Sequence, residues 1–163
     1  MKTKQKTGNI KLILSLIGTD ILIKLIIRFF LMERKFYICE KLGFTPFLNT
    51  KQLSIFNNEL QWNMSMFSLI LLNVGAILAV TVFWCKMRKE EDWTRPFDLA
   101  MKLLLSGAVC SFVDKLFWGG SLDYLLIHTQ IADLKDIYLV VGVTIYLAEM
   151  FRQIFRRLFL TYI

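Results

Sequence analysis

Four apolar stretches, each near the length needed to cross a lipid bilayer, constrain this chain more than any other feature. They run from about 11 to 32, 62 to 85, 97 to 118 and 137 to 159. A bilayer core takes about 20 apolar residues per helix. In lipid the backbone must satisfy its own polar groups, and runs of this length do so as helices. The expected fold is an all-α membrane protein: one domain, 1–163, of four transmembrane helices, with loops at 33–61 and 119–135. Composition agrees, because 56% of the 163 residues are hydrophobic and mean hydropathy is +0.52. That is too apolar for an ordinary soluble domain. The N-terminus is basic and then apolar, in the manner of a signal peptide. No small-residue cleavage site follows, so the first stretch is expected to remain as a span.

The net charge is +7, but the basic residues collect at the ends of the apolar runs. Lys2, Lys4, Lys6 and Lys11 precede the first run. Lys86, Arg88, Lys89 and Arg95 fill the link between the second and third, and Arg152, Arg156 and Arg157 end the fourth. The positive-inside rule places all three groups in the cytoplasm, with both termini inside and the loops 33–61 and 119–135 outside. No aromatic–basic interleaving of the kind that grips single-stranded nucleic acid is present, so the charge reads as topology and lipid-headgroup contact. The longer outer loop carries Pro46 and Asn49 and is expected to form a small cap or a helix lying on the membrane.

Ionisable residues inside a bundle are costly and pair or face a cavity. Asp20 and Lys24 are four apart, share a helix face and predict a structural ion pair. Lys102 and Glu149 fall at similar depth toward the cytoplasmic end, which predicts either a pair or two side chains reaching the inner interface. The three cysteines, Cys39, Cys85 and Cys110, have neither paired nor metal-ligand spacing. Cys85 and Cys110 lie in apolar stretches and read as packing. The lone His128 lacks partners for a metal and reads as a loop residue.

Asp114 and Asp136 stand apart. The helix before Asp114 and the helix after Asp136 run in opposite directions, joined by a short polar loop, so both carboxyls reach the same membrane face. A carboxyl pair in a partly dry site suits an aspartic protease, in which one acid holds a proton while the other activates water. The bland alternative is that both merely mark helix ends. An acid at a helix start, as at Asp136, is favoured by the macrodipole, whereas Asp114 at a helix end is not, and Lys115 beside it is a candidate to compensate.

The segments around these residues resemble the lipoprotein signal peptidase (signal peptidase II) family over most of the chain. Thr19-Asp-Ile-Leu-Ile-Lys24 matches an Asp and Lys four apart in that family's first helix, and Pro46-Phe-Leu-Asn49 matches the start of its outer loop. Ser106 to Lys115 follow its Gly-Gly-Ala-Leu-Gly-Asn-Leu-Ile-Asp-Arg pattern, with Asp114 at the catalytic position. Gly120-Ser-Leu-Asp-Tyr124 is similar to a Gly-x-Val-x-Asp-Phe segment. Ala132-Asp-Leu-Lys-Asp136 is in register with Phe-Asn-x-Ala-Asp, placing Asp136 as the second catalytic residue. The departures are Ser111 for asparagine, Lys115 for arginine and Ala132-Asp133 for Phe-Asn. Lysine lacks arginine's planar two-point grip. Asn49 is the nearest counterpart of the family's outer-loop asparagine, and Asp133 adds a negative charge near the pair.

The resemblance implies a divergent member: a cofactor-free aspartyl endopeptidase of the cell membrane, with its site near the outer face. It implies lipid-modified precursor proteins as substrates, membrane lipids around the bundle, a monomer, and no metal or nucleic acid. Asn49, Ser111, Lys115, Asp123 and Asp133 then surround the dyad. Two rivals remain: a non-catalytic relative that binds lipidated peptides or a partner, and a small proton-coupled carrier. The carrier is the weaker, because it lacks the repeated halves that many carriers show.

Overall fold

The computed structural model describes residues 3–50, 60–89 and 93–161, with side chains described between 10 and 158. Residues 51–56 of the outer-loop stretch that begins at Asn49, and Lys2 of the N-terminal basic group, lie outside the described residues.

Helix α1, Thr3–Ile26, runs into a π-helical turn, Ile27–Leu31. Strands β1, Phe36–Cys39, and β2, Leu42–Asn49, follow. Helix α2 spans Met66–Met87, capped by Ser65, whose Oγ accepts a hydrogen bond from the Ser68 N–H at 3.2 Å. Helix α3, Arg95–Phe117, starts with Pro96 in its first turn, where a missing N–H costs nothing. Strands β3, Ser121–Ile127, and β4, Gln130–Ala132, lead into α4, Leu134–Thr161. The bounds of α2, α3 and α4 fall within a few residues of the apolar runs.

Among the described residues, three helices are long and apolar enough to cross a membrane: Met66–Met87, Arg95–Phe117 and Leu134–Leu158. Helix α1 carries Lys11, Asp20 and Lys24 within its apolar stretch. Helix α2 buries only Leu69 and Trp84 and exposes Leu71, Leu72, Leu78 and Val82. So large an apolar surface suits lipid and not water. Cys85 is exposed on this helix, so only Cys110 of the pair assigned to packing is buried.

The polar end of the bundle carries a four-stranded antiparallel sheet in the order β1-β2-β3-β4, and the expected all-α class is corrected accordingly. Phe44 faces Leu125, Leu48 faces Leu122 and Asn49 faces Ser121. The β2–β3 register slips between Phe44 and Phe47, where Pro46 has no N–H to donate. His128 sits in the β3–β4 hairpin turn with φ +60°. Ile27, Leu122 and Tyr124 form a buried cluster with Ile23, Leu31, Phe44 and Leu134 packed on it, which seats the sheet on the helix ends.

Helices α3 and α4 make the most extensive contact in the bundle. The seam is closed at two glycines. A Cβ at Gly107 would lie 2.7 Å from Leu139 Cγ, and one at Gly142 would lie 3.0 Å from Leu104 Cγ. The expected Lys102–Glu149 pair does not form. Lys102 Nζ binds Asp98 Oδ2 at 2.7 Å, four residues back on its own helix. Glu149 accepts two hydrogen bonds from Arg152 and one from the Thr94 hydroxyl. Each side chain has a nearer partner, which removes the need to reach across.

Candidate functional site

Asp114 occupies the last turn of α3, and Gly119, with φ +59°, reverses the chain just beyond it. Strand β3 then starts at Ser121, and the β3–β4 hairpin returns the chain to the start of α4. That start is a reciprocal cap. The Asp136 N–H donates to Asp133 Oδ1 at 3.2 Å, and the Asp133 N–H donates to Asp136 Oδ2 at 3.2 Å. It is a capping box with aspartate at both positions, and it fixes Asp136 in the first turn.

Asp114 and Asp136 meet at one ammonium group. Lys135 Nζ lies 3.2 Å from Asp114 Oδ2 and 3.9 Å from Asp136 Oδ1. The two acids differ in access: the Asp114 side chain is 2% exposed and that of Asp136 is 43% exposed. A second lysine holds the buried floor. Lys24 Nζ is 2.9 Å from Asp20, 2.7 Å from Asp114 and 2.7 Å from Asp133. The Asp20–Lys24 contact is thus one spoke of a hub joining α1, α3 and the start of α4.

Asp133 is fully buried, and its charge is matched by both lysines. Burial alone would raise its pKa, but Lys135 and Lys24 outweigh it and hold the carboxyl below its ordinary value. It serves as the helix cap with two ammonium groups against its carboxylate. Asp123 lies opposite Phe47 in the sheet, 3.6 Å from Lys135, and accepts a hydrogen bond from Ser121 Oγ at 2.6 Å. Burial raises its pKa, with Lys135 and Ser121 opposing.

Lys115 turns away to donate to Ser111 Oγ at 2.9 Å, so Lys24 and Lys135, not Lys115, neutralise Asp114 at the unfavourable helix end. Asn49 ends β2 beside Ser121 and adjoins the site through the strand. Two participants were not singled out by sequence reasoning. Ser121 accepts from Lys135 Nζ at 2.7 Å, and Lys135 itself contacts four aspartates. The Asp133-x-x-Asp136 spacing was the available signal, since a capping box sets the helix start and so where the residue between points.

Oxygens of Asp123, Asp133 and Asp136 lie within 4.8 Å of one another, a spacing that suits a divalent ion. In this structure the cation among them is Lys135. The elements bring two carboxyls of different access to one polar site, an arrangement that can serve general acid–base chemistry.

Comparison with known proteins gives the lineage. The lipoprotein signal peptidase of Pseudomonas aeruginosa (strain UCBPP-PA14) is 32% identical over 99 residues, covering 56% of this chain and 55% of its own length. That of Pseudomonas fluorescens (strain Pf0-1) is 29% identical over the same length. The chain spans about half the length of the curated relatives it matches. A bacterial membrane enzyme solved by the in meso method at 2.3 Å shares the fold with a TM-score of 0.73 at 17% identity, covering 90% of this chain and 88% of its own. A second, at 1.9 Å, gives 0.72 at 18% identity, covering 88% and 92%. Residues 12–152 match the family model for signal peptidase (SPase) II. With that match across most of the sequence, the chain belongs to the signal peptidase II family.

Proposed function

We propose that this chain is an aspartyl endopeptidase of the cell membrane that removes signal peptides from lipid-modified precursor proteins. The observation that carries the reading is the convergence of Asp114 and Asp136, from two antiparallel helices, on one partly open polar site. One carboxylate takes a proton from water as the water attacks the scissile carbonyl. The other, protonated, donates to the carbonyl oxygen; as the C–N bond then breaks, the first acid passes its new proton to the leaving amine and the second recovers its own from the hydroxyl of the intermediate. The chemistry asks for no cofactor. The exposed apolar faces of α2 and α4 suit lipid tails, and the sheet stands over the dyad where a peptide must enter.

Helix α1 is the fourth span in this reading, in one domain with the other three. Its Asp20 and Lys24 are covered by Asp114 and Asp133, so they present no charge to lipid. The arginines and lysines at the far end support a cytoplasmic position for that end and both termini, with the dyad near the outer face. Ser121 is buried at the site, so the exposed hairpin is the place to test orientation. With native cysteines removed, Thr129→Cys should react with an impermeant thiol reagent on intact cells. Labelling only after the membrane is opened overturns the orientation.

The deciding assay uses purified protein in detergent or liposomes, a lipid-modified peptide, and product detection by mass. Asp114→Asn and Asp136→Asn should each lower cleavage by about a hundredfold or more, the range for loss of a general acid or base. The double variant should be little worse, because either acid is useless alone. Full activity in both single variants removes the site assignment. A second reading, a non-catalytic relative that binds lipidated peptides, is favoured by Lys135 standing between the carboxyls, where attacking water must sit. Binding of a lipidated peptide panel with no cleavage by the unsubstituted protein selects it.

A further inference from the structure

Lys135 is buried in the first turn of α4. A cation there opposes the helix macrodipole, and burying an ammonium costs further free energy. Helix propensity does not explain it. What offsets the cost is the ring of oxygens around Nζ: Asp133 in a short ion pair, Ser121 Oγ at 2.7 Å, and Asp114, Asp123 and Asp136 between 3.2 and 3.9 Å. The residue therefore faces the two acids assigned to the reaction more closely than any other described cation faces both.

Two like carboxyls in one dry site cannot both ionise freely, which is why such a pair keeps a shared proton. An ammonium between them removes that restriction, because it supplies the positive charge that the proton would supply. We infer that Lys135 is a positioning residue that sets the protonation of the Asp114–Asp136 pair. Its ammonium supplies between the two carboxyls the positive charge that a shared proton would otherwise supply, so that removing it favours uptake of that proton. This rests on the reading that Asp114 and Asp136 are the working pair.

Other charged groups do not substitute for it. Lys24 of α1 binds Asp20, Asp114 and Asp133 and makes no ion pair with Asp136 within 4 Å. Lys115 of α3 is turned to Ser111. From β3 come Asp123, which adds negative charge, and Tyr124, whose hydroxyl burial keeps it neutral. The 2.7 Å contact to Ser121 resembles a serine–lysine nucleophile pair. That chemistry needs a neutral lysine, and four carboxylates around Nζ keep its proton on. Ser121 Oγ is moreover committed to Asp123.

The test reads the pair's proton directly and uses the full chain in detergent. The infrared band of protonated carboxyl groups is followed against pH, and the contribution of the pair is identified by its loss in Asp114→Asn and Asp136→Asn. In Lys135→Gln the midpoint should rise by about 1–3 pH units, the size expected on removing an opposite charge at this range. Lys135→Arg, which keeps the charge, should titrate close to the unsubstituted protein. Asp123→Asn/Lys135→Gln, which also removes the acid left without its cation, serves if the single variant is not recovered folded, and should shift the same way. The alkaline limb of the cleavage–pH profile should move upward by the same amount. Superimposable infrared midpoints with and without the ammonium, or an equal shift in Lys135→Arg, overturn the inference. A shifted midpoint with no cleavage by any form keeps the role of Lys135 and removes the protease reading.

Discussion

The two polar ends of this bundle use the same residue types in opposite ways. At the end beneath the sheet, Lys24 and Lys135 each contact acids drawn from different elements, and the cluster is closed to solvent apart from Asp136. At the arginine-rich end the shortest ion pairs among the described residues are local. Lys102 reaches Asp98 four residues back, Arg152 grips Glu149 three residues back, and Arg88 lies over the Trp84 ring at 5.3 Å. Among the described residues, polar contacts that cross between helices there include the Trp84 indole N–H to Asp98, Arg88 to Asp98, and Thr94 to Glu149. A local pair needs only its own helix. A shared cation needs the whole tertiary arrangement, so its geometry reports on the fold and its loss is felt by several elements.

The sharpest way to break the comparison is to remove one hub. Lys24→Met leaves Asp20, Asp114 and Asp133 buried without their common cation and should cost about 3–5 kcal/mol of stability, as broken buried pairs do. It should be seen as a loss of folded protein in membranes and a lower melting temperature in detergent. Asp20→Asn/Lys24→Met should recover part of the loss, because one of the acids left unpaired is removed with it. A double variant as unstable as the sum of the two single changes would show that the contact is not a coupled one. At the other end Arg152→Ala should lower the melting temperature much less than Lys24→Met, since the Arg152 side chain is 60% exposed and Glu149 keeps the Thr94 hydroxyl as a partner. Equal penalties at the two ends would erase the distinction.

The helices were legible because length and hydropathy report them directly, and the opposed directions of α3 and α4 brought Asp114 and Asp136 to one end on paper. The sheet was hidden for a physical reason. Strand β3 buries Ser121 to Tyr124 in succession, on both faces, so the alternation that marks a half-exposed strand is missing. Strand β1 has the opposite problem, since all four of its residues are exposed. The Asp20–Lys24 spacing showed one contact of Lys24, but its ties to Asp114 and Asp133 come from chain segments about ninety residues and more away. Lys135 went unremarked because it is adjacent to Asp136. The family pattern Phe-Asn-x-Ala-Asp carries alanine at that place, and such a departure, coupled to Asp133 two residues before, is the signal a charge-balanced pair leaves.

The α3–α4 seam at Gly107 and Gly142 carries a consequence of another kind. Asp114 lies seven residues beyond one glycine and Asp136 six residues before the other, so the seam acts as a fulcrum for both. A single methyl placed there meets Leu139 or Leu104 at once and has to be absorbed by separating the helices. The dyad's tolerance is thus held by atoms that bear no charge and never approach a substrate. A chain can keep every acid and every lysine at this site and still lose its alignment through one crowded contact in the apolar body.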